Sequence, residues 1–368
     1  MNNKLDALVG IKGLGAIVIA LFFHYNHFIA AIYHPLYQIP ILNVLCERGW
    51  MAVELFFFLS GVTYMSIYSQ KIRKGDYSGE KFAVDRFSKL WPIHMVTLLV
   101  VTFVQGLRVE NGMPQFKFIA NDLYDFFLNI LMLQSLGIEN GAGYNWVAWT
   151  LTVNMLLYFV FYWVCKKTNN DNEIFIVCLI FIVLGFFIMK KGQWFIFSEN
   201  VGRGFSSFYL GVLFVVLYDR VENVKSALVI WLTILLLFGY GLVMYLFGGE
   251  LNDNFTILAS VYCGTFLPLI ITLIIRIPVL STFFSCKALK ALGKISFSLF
   301  MVHYPIQCVL VTLNDLFKIG WDYSRFGFWL AYALLCIGCA GVCHEYIEVV
   351  CSKKIRTFYA KRNEVMIR

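Results

Sequence analysis

Charged residues are scarce in this sequence, and no long stretch is polar enough to form a soluble domain. Asp, Glu, Lys and Arg make up 14% of the 368 residues, whereas hydrophobic residues make up 60%. Soluble domains average about 25% charged residues, so this composition excludes an ordinary soluble protein. The net charge of +8 comes from basic residues that lie between apolar runs. This placement is typical of a membrane protein, and we therefore expect no nucleic-acid partner.

Metal-binding patterns are also missing. Most of the ten cysteines lie inside apolar runs, as Cys165, Cys178, Cys336 and Cys339 do. The sequence has no C-x-x-C pair with a second pair at metal-ligand spacing, so we expect buried, hydrophobic cysteines and no metal. We detect no internal repeat and no low-complexity segment.

Long apolar runs are abundant instead. Ten of them approach the roughly 20 residues that cross about 30 Å of hydrocarbon. They lie at roughly 8–31, 50–69, 88–105, 146–165, 174–189, 204–218, 227–247, 256–276, 294–316 and 326–351. The sequence therefore predicts an all-α, polytopic protein of the inner (plasma) membrane, with about ten transmembrane helices and the lipid bilayer as its partner.

The distribution of basic residues decides whether an eleventh run, 120–136, also crosses. It carries Asp122, Asp125 and Asn129, which lipid tolerates poorly. If it does not cross, 22 of the 30 Lys and Arg residues lie on the cytoplasmic side; if it crosses, only 13 do. The positive-inside rule favours the first topology. We therefore predict cytoplasmic termini, one transmembrane domain over 1–352 with 120–136 as a non-spanning outer-face helix, and a basic cytoplasmic tail at 353–368.

Ionisable side chains within apolar runs mark candidate functional positions, because lipid disfavours them. The first run has Lys12 near its inner end and His24 near its outer end, about 18 Å apart along a helix. The second run, entered from outside, places Glu54 near the depth of His24. We therefore predict that His24 and Glu54 form a hydrogen-bonded catalytic pair. The alternative is that all three side chains sit at a membrane–water interface, and His27 would then be the next candidate.

Further polar side chains could contact a substrate. Arg86 and Lys89 precede the third predicted span, where they could bind phosphate or simply anchor the topology. Asn154 lies about two turns into the fourth span, and Arg203 leads the sixth at the outer face. His303 lies near the middle of the ninth span, where a helix-packing role is the alternative.

Five motifs occur in an order that resembles the acyltransferase-3 family of membrane-bound O-acyltransferases. They are Lys12 followed by an apolar run to His24, V-E-L-F-F-F-L-S-G (53–61), R-F-S-K-L-W-P (86–92), W-T-L-T-V-N (149–154) and G-K-I-S-F-S-L-F-M-V-H-Y-P (293–305). Together they extend over nearly the whole chain, from Leu5 to Pro305.

The resemblance implies transfer of an acetyl or other short acyl group from cytoplasmic acyl-CoA to a hydroxyl of an extracytoplasmic glycan or glycolipid. His24 corresponds to the histidine taken as catalytic in the family. The other matching positions are Lys12, Glu54, Arg86, Arg203 and His303, which correspond to the family's basic, acidic, arginine and late histidine positions. Lys89 and Asn154 are included here as further substrate-binding candidates.

Two positions depart from the family pattern. Lys12 and His24 are offset by 12 residues instead of 11, which leaves them about 120° apart on an ideal helix. A one-residue π-bulge, helped by Gly13 and Gly15, would restore a common face. The second departure is Asn154, which stands where the family commonly has Glu, so a role there that needs negative charge is in doubt.

Two other classes of function stay open at this point. A transporter or flippase would also carry polar residues in its spans, although we find no inverted repeats. A non-catalytic assembly or sensor protein could keep the scaffold with an inactive site, which the Asn154 departure would fit. The sequence also leaves open whether the chain forms a homo-oligomer.

Overall fold

The computed structural model describes residues 2–116, 122–141, 143–220, 224–252 and 255–367. This part of the chain is almost entirely helical, which confirms the predicted all-α class. Nine helices within it are long and apolar enough to cross a membrane. The seventh predicted span, 227–247, is not among these nine; it falls in helix Ser226–Asn252, whose described apolar part is the shorter Ser226–Leu242.

Most predicted spans correspond to single helices. In chain order the α-helices are α1 (Asn2–Ile17), α2 (Pro40–Arg48), α3 (Met51–Arg73), α4 (Gly79–Glu110), α5 (Leu123–Ile130), α6 (Trp149–Lys167), α7 (Asp171–Lys191), α8 (Glu199–Arg220), α9 (Ser226–Asn252), α10 (Phe255–Val261), α11 (Leu267–Arg276), α12 (Pro278–Phe284), α13 (Lys287–Phe317), α14 (Phe326–Cys343) and α15 (Val350–Ile367). The π-helices are Val18–Phe23, Tyr262–Phe266 and His344–Val349, and the 3-10 helices are His24–His27, Ala31–Tyr33 and Trp146–Ala148. Strands β1 (Gln193–Trp194) and β2 (Phe197–Ser198) pair in antiparallel.

The chain divides into two compact units. The first comprises 1–15, 51–77 and 156–293, and the second comprises 16–50, 78–155 and 294–368. The basic segment predicted as a tail continues as α15, whereas the extent of the transmembrane domain and the cytoplasmic position of the tail stay predictions.

In the first unit, α3 and α8 pack backbone to backbone through glycines. A Cβ atom on Gly61 would lie 2.0 Å from the carbonyl oxygen of Phe208, and one on Gly211 would lie 2.0 Å from that of Phe58. The Glu54–Arg203 ion pair lies one to two turns before these glycine contacts on both helices, so α3 and α8 run in the same direction. That direction is the one expected if 120–136 does not cross the membrane between them.

In the second unit, α5 is the helical part of the run 120–136, of which residues 120 and 121 lie outside the described residues. Its eight residues rise only about 12 Å, too little to cross about 30 Å of hydrocarbon. The side chain of Asp122 accepts a hydrogen bond from the backbone N–H of Asp125 and caps the N-terminus. At the other end, His94 and Trp91 of α4 donate to the carbonyls of Asn129 and Ile130. These bonds tie the short helix to α4.

Candidate active site

His24 in the second unit directly follows a π-helix. Its backbone N–H donates to the carbonyl of Ile19, five residues earlier, which is the π-type hydrogen bond. The π-bulge expected between Lys12 and His24 is therefore present at Val18–Phe23. Gly13 and Gly15, which were expected to help it, lie before Val18, and Gly13 packs closely against Leu292 and Gly293 in the first unit.

Side chains from later in the chain stabilise this π-helix by binding its carbonyls. Tyr332 donates to Ala20 over 3.0 Å, and Trp329 donates to Leu21 over 2.9 Å. Leu21 also accepts a 3.1 Å bond from Nε2 of His34. Burial lowers the pKa of His34 and favours its neutral form, which uses its single N–H as this donor. The irregular backbone before His24 is therefore held from three positions.

The imidazole of His24 pairs with that of His303. Nδ1 of His24 lies 2.7 Å from Nε2 of His303, and both rings are buried. Nδ1 of His303 lies 3.3 Å from the carbonyl oxygen of Leu299. A carbonyl only accepts, so Nδ1 of a neutral His303 carries the proton and its Nε2 accepts. Nδ1–H of His24 is then the donor, which leaves Nε2 of His24 with an unprotonated lone pair.

A proline explains how a tryptophan reaches this pair. Pro305 lies inside α13 and has no N–H, so the carbonyl of Met301 loses its usual helical partner. The side-chain amide of Asn145 donates to that carbonyl over 3.1 Å. Asn145 precedes Trp146, whose ring centroid lies 5.1 Å from that of His24. The helix interruption therefore fixes the aromatic side chain beside the imidazole.

The rings of His24 and Trp146 line a cavity of about 590 Å³ within the second unit. This volume falls in the range of small-molecule sites, about 300–1,000 Å³. Its lining consists of Phe23, His24, Asn26, His27, Ala30, Ala31, Phe116, Trp146, Tyr304, Gln307, Cys308 and Val311. The mixture of aromatic faces, amides and one imidazole with a free lone pair could hold a polar, ring-shaped molecule and remove a proton from it.

Glu54 has a different partner from the one predicted. In the first unit, its two carboxylate oxygens accept from Nε and Nη2 of Arg203 over 2.6 and 3.0 Å. The side chain of Glu54 is 1% exposed and that of Arg203 is 12% exposed. The prediction that His24 hydrogen-bonds to Glu54 is corrected here, because the ring of His24 bonds to His303 and the carboxylate of Glu54 is engaged by a bidentate guanidinium.

The other predicted positions have local contacts of their own. Lys12 donates to the hydroxyl of Thr63 over 3.2 Å in the first unit. In the second unit, the guanidinium of Arg86 lies 5.5 Å above the ring of Phe82, and Lys89 lies 3.9 Å from Glu348. Asn154 donates to the carbonyl of Thr150, one turn earlier, over 2.8 Å. The described contacts thus bring His24 together with His303, and Glu54 together with Arg203.

Three site residues were not predicted. Trp146 belongs to the aromatic segment before the fourth span, and Asn145 precedes it. Gln307 donates to the backbone carbonyl of His24 over 2.8 Å and so fixes that turn. A search for ionisable residues in apolar runs does not select Gln307, although it lies one turn after His303 in the same run. Among the described residues, no three His, Cys, Asp or Glu side chains are grouped so that they could hold a metal ion.

Fold and site together define a multi-pass helical membrane protein with a cavity beside the His24–His303 pair. The family model described as an acyltransferase domain matches residues 5–344. The chain belongs to the acyltransferase-3 family, which makes it an acyltransferase and confirms the resemblance of its motifs. No curated protein and no solved structure matches the chain significantly.

Proposed function

We propose that this protein transfers an acetyl or other short acyl group from cytoplasmic acyl-CoA to a hydroxyl of an extracytoplasmic glycan or glycolipid. The observation that carries this proposal is the state of His24, which lines the 590 Å³ cavity while its Nδ1–H is held by His303. A neutral imidazole with its Nε2 lone pair free is a base suited to a sugar hydroxyl near neutral pH.

Two routes use the same nitrogen. In direct transfer, Nε2 of His24 takes the hydroxyl proton while the hydroxyl oxygen bonds to the acyl carbon; the thioester C–S bond breaks, and the leaving thiolate receives the proton. In the covalent route, Nε2 bonds to the acyl carbon first, the thioester C–S bond breaks and CoA leaves as a thiolate. The acceptor oxygen then bonds to the acyl carbon, the bond from that carbon to Nε2 breaks, and the hydroxyl proton passes to the thiolate. In both routes His303 orients His24 and stabilises positive charge on its ring.

The remaining candidates are assigned to substrate positioning or to support. Arg86 and Lys89 would meet the phosphates of the donor, and Lys12 remains a substrate-binding candidate through the family pattern. The aromatic rings of Trp146 and Tyr304 would stack on the acceptor. Asn154 would contact substrate through its amide.

Glu54 and Arg203 remain candidates through the family pattern. Because each already holds the other, we assign them the task of fixing the α3–α8 packing in the first unit.

The test is acyl transfer by purified protein in lipid nanodiscs. Radiolabelled acetyl-CoA is supplied with envelope glycans from the cells that carry the protein, and both CoA release and label on glycan are measured. We expect transfer by the wild type, none by His24→Ala, and partial recovery of His24→Ala with added imidazole, with equal amounts of folded protein. Absence of transfer by the wild type would contradict the proposal and favour transport or a non-catalytic role.

A second test concerns sidedness, on which a cytoplasmic donor and an outer acceptor depend. A reporter inserted after Lys74 should be cytoplasmic, and one at Gly141 should be external, because 22 of the 30 basic residues then lie inside. A cytoplasmic reporter at Gly141 would mean that the segment 120–136 crosses the membrane.

A further inference from the structure

A second cavity, of about 370 Å³, lies in the second unit where α4 packs against α15. Three cationic side chains line it: Lys89 from α4, and Lys353 and Arg356 from α15. The hydroxyl-bearing side chain of Ser352 adds to the same wall. We refer to it as the basic cavity.

Carboxylates of the protein neutralise these cations only in part. Nζ of Lys89 is 3.9 Å from Glu348, beyond hydrogen-bond distance, and its side chain is half exposed. Arg356 places Nε 3.0 Å from a carboxylate oxygen of Asp85 and points Nη2 at the Asp85 carbonyl over 3.4 Å. Within the described part of the chain, Nη1 of Arg356 has no hydrogen-bond partner and Lys353 has no ion pair. The cavity therefore holds more positive charge than its own acids neutralise.

The sequence of α15 shows that this charge is concentrated in one segment. Residues 353–362 contain five basic residues and no acidic one. Ser352, Lys353 and Arg356 fall on one face of the helix through the i, i+3 and i+4 spacing, and that face is turned to α4. The family match ends at residue 344, so the two cations of α15 lie beyond the matched region.

We propose that the basic cavity binds a phosphate or diphosphate group, and that its natural occupant is the nucleotide end of the acyl-CoA donor. Two ammonium groups and one guanidinium edge, with a neighbouring hydroxyl, match the acceptor oxygens of a multiply charged phosphate. The assignment to the donor rests on the function proposed above. An anionic phospholipid headgroup carries the same chemistry, and the experiment separates these two sources.

The test measures binding of inorganic pyrophosphate and of CoA to the full-length protein in zwitterionic nanodiscs by calorimetry. The variants are Lys353→Gln, Lys353→Ala/Arg356→Ala, and the matched control Lys361→Ala/Arg362→Ala, which removes two exposed charges from the same helix outside the cavity. We expect about tenfold weaker binding of both ligands for the double variant and a smaller loss for Lys353→Gln, with little change for the control. Lys353→Gln disturbs no described ion pair, so it remains informative if the double variant does not fold.

Three results would overturn the proposal. Equal weakening in the control would show diffuse attraction rather than a site, and the absence of pyrophosphate and CoA binding to the wild type would remove the site altogether. If anionic lipid in the nanodiscs displaces both ligands from the wild type, the occupant is a lipid headgroup. Acyl transfer is measured in parallel to separate this proposal from the proposed function. If the double variant binds pyrophosphate and CoA as the wild type does and transfers acyl groups normally, only the phosphate site is refuted. If binding depends on the cavity but the wild type transfers no acyl group, only the enzyme function is refuted.

Discussion

Replacing His303 with leucine should leave the buried Nδ1–H of His24 without its acceptor. The bond it loses is 2.7 Å long and joins two buried rings. An unsatisfied buried donor costs about 1–3 kcal/mol. His24 can avoid this cost by rotating its ring or by changing its tautomer. The orientation with Nε2 unprotonated and facing the cavity then becomes about 5- to 150-fold less populated. We therefore expect kcat to fall by about that factor, while the KM for acyl-CoA changes little.

A second variant separates the loss of the hydrogen bond from the change in side-chain size. His303→Gln places an amide oxygen near the position of Nε2, so it can still accept from Nδ1–H of His24, and we expect it to lose less than about tenfold. The double variant His24→Ala/His303→Leu should be no slower than His24→Ala, because the two rings act as a unit. The assay is CoA release by purified protein in nanodiscs, with the folded fraction checked by gel filtration. A folded His303→Leu protein with the wild-type kcat would refute this account of the histidine pair.

Three further predictions concern stability, measured by thermal unfolding of the purified protein. Glu54→Gln should destabilise the protein by about 3–5 kcal/mol, because it leaves the guanidinium of Arg203 without a counter-charge. The double variant Glu54→Leu/Arg203→Met should recover most of that loss. Equal stability of the wild type and both variants would contradict a buried ion pair. Gly61→Ala should lower the melting temperature because its Cβ would meet the Phe208 carbonyl, while Gly106→Ala, with open space around it, should gain about 0.5–1 kcal/mol from helix propensity. Burial raises the pKa of Asp125, so its carboxyl group binds a proton more tightly in the folded protein than in the unfolded chain. The free energy of unfolding therefore falls as the pH rises through this pKa. Asp125→Asn should therefore raise the melting temperature at neutral pH, and this gain should shrink as the pH falls towards the pKa; a gain that is independent of pH would contradict the assignment.

The helices could be predicted closely because lipid leaves a spanning segment few other ways to satisfy its backbone. The run 146–165, for example, appears as a 3-10 turn continuing into α6. A depth for Glu54 can also be predicted, because depth follows from counting residues along a span.

The partner of Glu54 could not be read from depth. The sequence predicts only His24 as the partner. Other ionisable residues, such as His303 and Arg203, also lie in or next to the spans, and which of them reaches Glu54 depends on which helices pack together. That packing is set by the small surfaces of Gly61 and Gly211, which bring α3 and α8 into backbone contact. Complementary charge would have favoured Arg203, since a carboxylate attracts a guanidinium more strongly than a neutral imidazole.

The π-helix before His24 shows a second limit. An offset of 12 residues indicated that a bulge was needed, but its position depends on where donors for the displaced carbonyls are available. Two of those donors, Trp329 and Tyr332, lie about 310 residues further along the chain, and the third, His34, lies 13 residues after Leu21. A local reading could only point to the nearest glycines, and these serve helix packing instead.

The break at Pro305 also links two distant positions during evolution. If Pro305 were replaced by a residue with an N–H, α13 could close its own hydrogen bond to the carbonyl of Met301, and that carbonyl would no longer depend on the amide of Asn145. If Asn145 were replaced by an apolar residue, the carbonyl exposed by the proline would be left buried without a donor. Losing Asn145 alone is thus harmful to stability, whereas losing Asn145 and Pro305 together is tolerable. We expect relatives to keep or lose the two residues as a pair, and those that have lost them to hold the aromatic wall of the cavity by some other contact.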